Sequence, residues 1–214
     1  MRKIQSNPIQ LIIALKSIQY WVELGWDCHV GKSTEFAAII PNLQSKLPRT
    51  SISFKWEPPE SGWIKLNTDG AFNSTLGRAS GGGLLRDNGG NWIRGFSRSM
   101  GTCSSLMVEL WVLKDGLYLA KELGFSSIYV EVDAELVVGF LFNPSCVNLV
   151  MKSLLFDYRN ILQNFTNPIV RHVFREANQC ADILAKIGLH LSSSFVTFVD
   201  PPSVVEDLLA FDKA

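Results

Sequence analysis

The spacing of hydrophobic residues changes from strand-like to helix-like along residues 63–189. This pattern constrains the fold more than any other feature of this sequence. Apolar and polar residues alternate in Trp63–Phe72, which is typical of a half-buried β-strand, and Gly81–Arg86 and Trp92–Arg98 are predicted to be two more strands. The run Asp87-Asn88-Gly89-Gly90 between the last two segments is a strong hairpin signal. The sequence therefore predicts three antiparallel strands at the start of this region.

The period then lengthens to that of a helix. Ser104 or Ser105 is a suitable N-cap, and apolar residues at helical spacing continue to Leu123, before the stop signal Gly124. The later segments alternate between strand and helix: strands Ser127–Val132 and Pro168–Phe174, and helices Ala134–Phe142, Val147–Leu162 and Glu176–Leu189. This order predicts an α/β fold with a mixed five-stranded sheet, the first three strands antiparallel, and helices on both faces.

Four carboxylates occupy unusual places in these predicted elements. They are Asp69 near the end of the first strand, Glu109 in the first turns of the long helix, Asp133 after the fourth strand and Asp182 in the last helix. Strand ends beside helix starts are where open α/β sheets bind ligands. Each acid alone could be a cap or a solvated side chain. Four acids converging there would repel one another without cations, so we predict a site for hard divalent ions such as Mg²⁺.

Composition limits the other possibilities. The 214 residues, 47% of them hydrophobic and with a net charge of zero, suit one well-filled domain with an accessory segment. No uncharged apolar run reaches the length of about eighteen residues that a membrane span needs. The apolar run Ile9–Leu15 is short and lacks a cleavage site, so we expect an intracellular protein, nuclear or cytoplasmic, that is not secreted. The sequence does not fix the oligomeric state, and we expect a monomer.

A proline-rich segment divides the chain. Pro58 and Pro59 forbid regular structure and predict a stiff linker over residues 56–62. The predicted organisation is a poorly patterned N-terminal region at 1–55, the linker at 56–62, the α/β domain at 63–190 and a C-terminal tail at 191–214. The four cysteines contain no Cys-x-x-Cys pair, which argues against a zinc site.

Five segments of the α/β region form a joint pattern: Trp63–Ala71, Gly82–Asp87, Val108–Trp111, Val130–Asp133 and Arg175–Asp182. This pattern resembles the ribonuclease H type-1 domain, most of all the plant version derived from non-LTR retrotransposon reverse transcriptases. The resemblance implies a ribonuclease H-like fold and a divalent-metal-dependent endonuclease that hydrolyses the RNA strand of RNA–DNA hybrids. It also implies that residues 1–55 are a retroelement remnant.

The resemblance further implies roles for individual residues. Asp69, Glu109, Asp133 and Asp182 would be the catalytic residues and the ligands of two Mg²⁺ ions, with Mn²⁺ as a substitute. Asp69 would bridge both ions, one of which activates a water while the other stabilises the departing oxygen. The glycines of the second strand would let a sheet edge approach the minor groove of the hybrid. The predicted substrate-binding residues are Gly70, Gly82, Gly83, Ser104, Ser105, Arg175 and Asn178.

Two departures from the family pattern keep an alternative open. Members that bind hybrids well carry two asparagines before the glutamate, where this chain has Ser105 and Leu106. The loop that holds a histidine in bacterial and animal members is shortened here to Phe174–Asn178. The alternative is a weakly active or inactive nucleic-acid-binding module domesticated from a retroelement. Another nuclease of the same superfold is disfavoured by the intact order of the four acids.

Overall fold

Three antiparallel strands form the first half of the sheet, as predicted. The computed structural model describes residues 55–142, 149–166 and 168–213. The three strands are β1 (Ile64–Asn73), β2 (Arg78–Arg86) and β3 (Trp92–Gly101). The Asp87 carboxylate closes the turn between β2 and β3, because it accepts hydrogen bonds from the Gly89 and Asn91 amides at 2.8 Å.

The second half of the fold alternates helices with strands. Its elements are α1 (Ser105–Glu122), β4 (Ile128–Val132), α2 (Glu135–Phe142), α3 (Leu149–Leu162), β5 (Ile169–His172), α4 (Gln179–Gly188), β6 (Phe195–Phe198) and α5 (Ser203–Lys213). β4 pairs parallel with β1 and β5 parallel with β4, which gives a mixed sheet in the order β5-β4-β1-β2-β3-β6. The predicted α/β fold is confirmed. Residues 1–54 and the predicted helix break at Asn143-Pro144 lie outside the described residues.

The sheet has six strands where five were predicted. The sixth, β6, lies in the predicted tail at 191–214 and pairs antiparallel with β3. The helix α5 that follows buries Val205 and Leu209 in one core cluster with Leu184 of α4. A strand of four residues shows too little alternation to be recognised in a sequence, and it forms because β3 offers an edge for pairing. Within the described ranges, no helix has both the length and the apolar character that crossing a lipid bilayer requires.

Neighbouring glycines of β2 allow helices to pack closely on both faces of the sheet, since consecutive strand residues point to opposite faces. A Cβ atom at Gly81 would lie 1.8 Å from Cγ2 of Val112 in α1. A Cβ atom at Gly82 would lie 2.3 Å from the backbone carbonyl carbon of Leu184 in α4. The expected sheet edge is not observed here, because β2 is an interior strand and Gly82 and Gly83 are buried.

A buried ionic network connects the sheet with α5. Its members are Trp56, Lys65, Asn67, Arg86, Glu131 and Asp212. The Arg86 side chain is 1% exposed and donates to the Asp212 carboxylate at 2.5 Å. Its guanidinium also lies 3.8 Å from the centre of the Trp56 ring. Trp56 and Asp212 thus complete the network from the two segments that the sequence predicted to be linker and tail.

Replacing Asp212 with Asn tests how much this network stabilises the fold. The Asp212→Asn variant leaves the buried Arg86 guanidinium without its carboxylate, so the free energy of unfolding should fall by about 2 kcal/mol. Chemical denaturation followed by circular dichroism measures the change. The Asp207→Asn variant makes the same change at an exposed position of α5 and should shift stability by less than about 0.5 kcal/mol. Equal stability of the two variants would contradict the assigned role of Asp212.

Candidate metal centre and cleft

Three carboxylates meet where β1 and β4 approach α1. The two strands are parallel neighbours with Thr68 paired to Val132, so the residues that follow, Asp69 and Asp133, lie at the same level of the sheet. α1 packs against β1 and brings Glu109 to them. One oxygen from each of the three carboxylates lies within 4.8 Å of the other two. The structure therefore brings together three of the four acids that the sequence singled out.

The backbone amide of Gly70 links two of these acids. It donates hydrogen bonds to Oδ1 of Asp69 at 2.9 Å and to Oε1 of Glu109 at 3.0 Å. A Cβ atom on residue 70 would lie 2.7 Å from the same Glu109 oxygen, so the close approach of the glutamate requires glycine. Gly70 thus orients the acids, and its contact with a substrate stays a prediction.

The remaining carboxylate oxygens of Asp69 and Glu109 are suited to binding a cation. Asp69 is 1% exposed and Glu109 is 6% exposed, and among the residues that the structure describes neither Oδ2 of Asp69 nor Oε2 of Glu109 has a hydrogen-bond partner. Burial, then the charges of Asp133, Glu109 and Asp182, raises the pKa of Asp69 to about 9. Burial and the charge of Asp133 raise the pKa of Glu109 to about 8. A hard divalent ion would provide both positive charge and partners, and this oxygen-only donor set fits Mg²⁺ or Mn²⁺.

These raised pKa values predict that the metal-free protein loses stability as the pH rises. Both carboxyls ionise at about pH 4 in the unfolded chain. In the folded protein they keep their protons up to about 8 for Glu109 and about 9 for Asp69. The folded state therefore binds more protons over that interval, and its free energy of unfolding falls from about pH 4 towards pH 9.

Thermal melting in the presence of a chelator, repeated across this pH range, measures the effect. The Asp69→Asn variant removes one of the two groups and should show a shallower slope. Mg²⁺ should raise the melting temperature most at the alkaline end, where the acids are ionised. A melting temperature that rises through the same interval without metal would contradict the assignment.

The fourth acid, Asp182, lies apart from the group of three. It occupies the first turn of α4, and Oδ2 of its carboxylate lies 2.6 Å from Nζ of Lys186. Its charge still helps to raise the pKa of Asp69. Asp182 lines a cleft of about 380 Å³ whose walls are Gly70, Ala71, Phe72, Asn73, Ser74, Arg175, Asp182, Lys186 and Leu189.

Three of the predicted substrate-binding residues are exposed near the acids. Arg175 lies in the cleft wall, with Nε 3.5 Å from Oδ2 of Asp133, and the charge of that carboxylate raises the pKa of the guanidinium. Ser104 and Ser105 lie exposed at the start of α1, about one turn before Glu109. All three side chains can be reached by a ligand from solvent.

Three other predicted substrate-binding residues are buried between elements. Asn178 is 1% exposed, and its side-chain amide donates to the Thr68 carbonyl at 2.9 Å. This bond ties the start of α4 to β1 beside Asp69. Gly82 and Gly83 are buried in β2, which is an interior strand of the sheet. The contacts of Asn178 and Gly82 position α4, which carries Asp182, against the sheet, whereas Gly83 faces the Phe96 ring of β3.

Lys186 is a cleft residue that was not among the predicted site residues. It follows Asp182 by four residues on the same helix, so the two side chains lie on one face. That spacing was the signal in the sequence that could have identified it. Its side chain is 62% exposed, which leaves the ammonium accessible from the cleft.

A mixed sheet in this order, with acids after β4, within β1 and on α1, defines a ribonuclease H-like domain. RNase H1 from the halophilic archaeon Halobacterium salinarum superposes with a TM-score of 0.56 and 26% identity, over 60% of this chain and 98% of its own. LC11-RNase H1, solved in complex with an RNA/DNA hybrid, superposes with a TM-score of 0.54 and 23% identity, over 59% of this chain and 96% of its own.

Sequence comparison then gives the family. Residues 67–188 match the reverse transcriptase-like family, and the chain belongs to it. An Arabidopsis thaliana protein named "Putative ribonuclease H protein" is 39% identical over 165 residues, which cover 77% of this chain. The aligned part covers 27% of the Arabidopsis protein, so the chain spans about a quarter of the length of this relative. The resemblance to ribonuclease H noted in the sequence is confirmed.

Proposed function

We propose that this domain is a divalent-metal-dependent endonuclease that hydrolyses the RNA strand of RNA–DNA hybrids. The observation that carries the proposal is the convergence of Asp69, Glu109 and Asp133 within 4.8 Å, where Asp69 and Glu109 each have one buried oxygen without a hydrogen-bond partner in the described ranges. The likeness to the RNase H1 of Halobacterium salinarum supports the same class of reaction. A further protein of this fold, LC11-RNase H1, has been solved with an RNA/DNA hybrid bound.

The four acids are the proposed metal ligands. Asp69, Glu109 and Asp133 would hold one Mg²⁺ ion, and Asp69 with Asp182 would hold a second, with Mn²⁺ as a substitute. Such ions, when bound, supply an activated water and stabilise charge on the departing oxygen of a phosphodiester. The protein contributes orientation, because the Gly70 amide fixes Asp69 and Glu109 relative to each other. Burial of both carboxylates strengthens their attraction for a cation.

The cleft beside the acids is the proposed path of the nucleic acid. Arg175 and Lys186 line it with side chains that are 75% and 62% exposed, and both can contact phosphates. Ser104 and Ser105 add hydroxyl groups at the start of α1. Because the chain has a net charge of zero, we expect modest affinity that weakens strongly with added salt.

A second candidate function is binding of nucleic acid with little cleavage, as in a domesticated retroelement fragment. Leu106 favours it, because leucine replaces an asparagine that reads the minor groove in ribonucleases H of the family this chain resembles. A leucine side chain cannot hydrogen-bond to base edges or to 2′-hydroxyl groups. Under this alternative the domain keeps its fold and its divalent-ion site but cleaves hybrids slowly.

A cleavage assay with matched substrates tests the two functions. The purified protein is incubated with a labelled RNA–DNA hybrid, a DNA duplex and a single-stranded RNA of one sequence, with Mg²⁺ or with chelator. The proposed function predicts internal cuts in the RNA strand of the hybrid with Mg²⁺ present. Binding without cleavage would favour the second function. A DNA duplex or single strand cut more readily than the hybrid would contradict the proposed substrate.

A further inference from the structure

The Asp182 carboxylate already has a cationic partner within the protein. Nζ of Lys186 lies 2.6 Å from Oδ2 of Asp182. Helix geometry keeps this pair together, because residues four apart lie on the same face of a helix. Asp69 and Glu109 differ, since each has one buried oxygen that accepts no hydrogen bond from the described part of the chain. The four carboxylates are therefore not equivalent towards an incoming cation.

Arg175, another residue of the cleft wall, makes a weaker contact with Asp133. Its Nε lies 3.5 Å from Oδ2 of Asp133, and its side chain is 75% exposed. One oxygen of Asp133 still lies within 4.8 Å of an oxygen of Asp69 and one of Glu109. Asp182 is not part of this group of three. The group of three thus presents oxygens to a cation, whereas the Asp182 carboxylate is already neutralised by an ammonium.

We propose that Lys186 is an internal counter-ion that competes with a divalent cation for Asp182. This inference rests on the proposed function, because it presupposes that the carboxylates bind divalent ions. An ion beside Asp182 would lie close to the ammonium, and the two positive charges repel each other. The site therefore binds one ion tightly at the group of three and a second ion weakly at Asp182.

Bound nucleic acid would weaken the pairing between Lys186 and Asp182. The Lys186 side chain is long and 62% exposed, and it lines the same cleft as Arg175. A phosphate in the cleft offers the ammonium another negative partner, and Lys186 can turn towards it. Release of Asp182 then allows the second ion to bind. Occupancy of the second ion site is in this way coupled to the presence of a phosphate backbone.

Counting bound Mn²⁺ by electron paramagnetic resonance, without nucleic acid, tests the competition directly. The Lys186→Gln variant should bind the second ion about fivefold more tightly than the wild type, with the first ion unchanged. The Lys186→Arg variant keeps a cation and should behave like the wild type. Lys121→Gln removes an exposed lysine from the end of α1 and should leave both affinities unchanged. All three variants should retain the wild-type circular dichroism spectrum.

The possible results separate this inference from the proposed function. Equal second-ion affinity in the wild type and in Lys186→Gln, with a first ion bound by both, would overturn the role of Lys186 and leave the nuclease proposal standing. An equal gain in Lys186→Gln and Lys121→Gln would assign the effect to net charge and also overturn it. Failure of every protein to bind Mn²⁺ would overturn the inference together with the proposed metal site.

Discussion

Replacing Asp69 with Asn should abolish cleavage of the RNA strand, with a fall in the single-turnover rate of about a thousandfold or more. Asp69 is the most buried of the four acids, and its free Oδ2 is one of the two oxygens best placed to accept a cation. The amide of asparagine carries no charge, and its NH₂ group cannot act as a metal ligand. Rapid-quench measurements with protein in excess over a labelled hybrid, at saturating Mg²⁺, give the rate.

Two controls distinguish lost chemistry from lost structure. Asp200→Asn makes the same change at an exposed position between β6 and α5 and should cleave like the wild type. Asp69→Asn should melt no lower than the wild type in chelator, since burial disfavours the charge that it removes. Cleavage at the wild-type rate by a folded Asp69→Asn protein would contradict the proposed site.

Replacing Gly82 with Ala should cause the largest loss of stability among single-methyl additions to the sheet, about 3 kcal/mol. The new Cβ atom would lie 2.3 Å from the carbonyl carbon of Leu184 and 2.4 Å from the amide nitrogen of Ala185. Both are backbone atoms of α4, so the whole helix must move away from β2. Asp182 moves with α4, and we therefore expect reduced cleavage as well. Denaturant unfolding gives the change in stability.

Gly139→Ala is the matched control for this substitution. A Cβ atom at Gly139 would meet no heavy atom of residues 55–142, 149–166 or 168–213 within 4 Å, and the residue is exposed on α2. Alanine is the better helix former, so this variant should equal the wild type or exceed it by up to about 1 kcal/mol. Similar unfolding curves for the Gly82→Ala and Gly139→Ala variants would show that α4 does not depend on the glycine for its close approach.

Most elements were predictable from the sequence to within a few residues. The predicted strand Trp63–Phe72 is observed as Ile64–Asn73, and the predicted helix to Leu123 is observed as Ser105–Glu122. Alternation and helical spacing are visible because they are repeated many times within each segment. β6 has only four residues, and its pairing with β3 depends on contacts between distant parts of the chain. Local pattern therefore could not reveal it.

The site was predictable in chemical type and less so in detail. Carboxylates beside strand ends and helix starts were recognisable as candidate metal ligands, and three of them meet in the structure. The structure shows Asn178 and Gly82 in contact with neighbouring elements, and their contact with substrate stays a prediction. A short polar or small residue suits either role, and its sequence context does not state which surface it faces. Lys186 was overlooked because a lysine on a helix is usually a solvated side chain.

The sequence by itself determined the order of strands and helices from β1 to α4 and the acidic, oxygen-rich character of the site. These follow from residue type and from spacing along the chain. Only the tertiary structure decided that Asp69, Glu109 and Asp133 lie within 4.8 Å of one another while Asp182 pairs with Lys186. Distances between residues far apart in sequence depend on the register of β1 with β4 and on how closely α1 and α4 pack against the sheet.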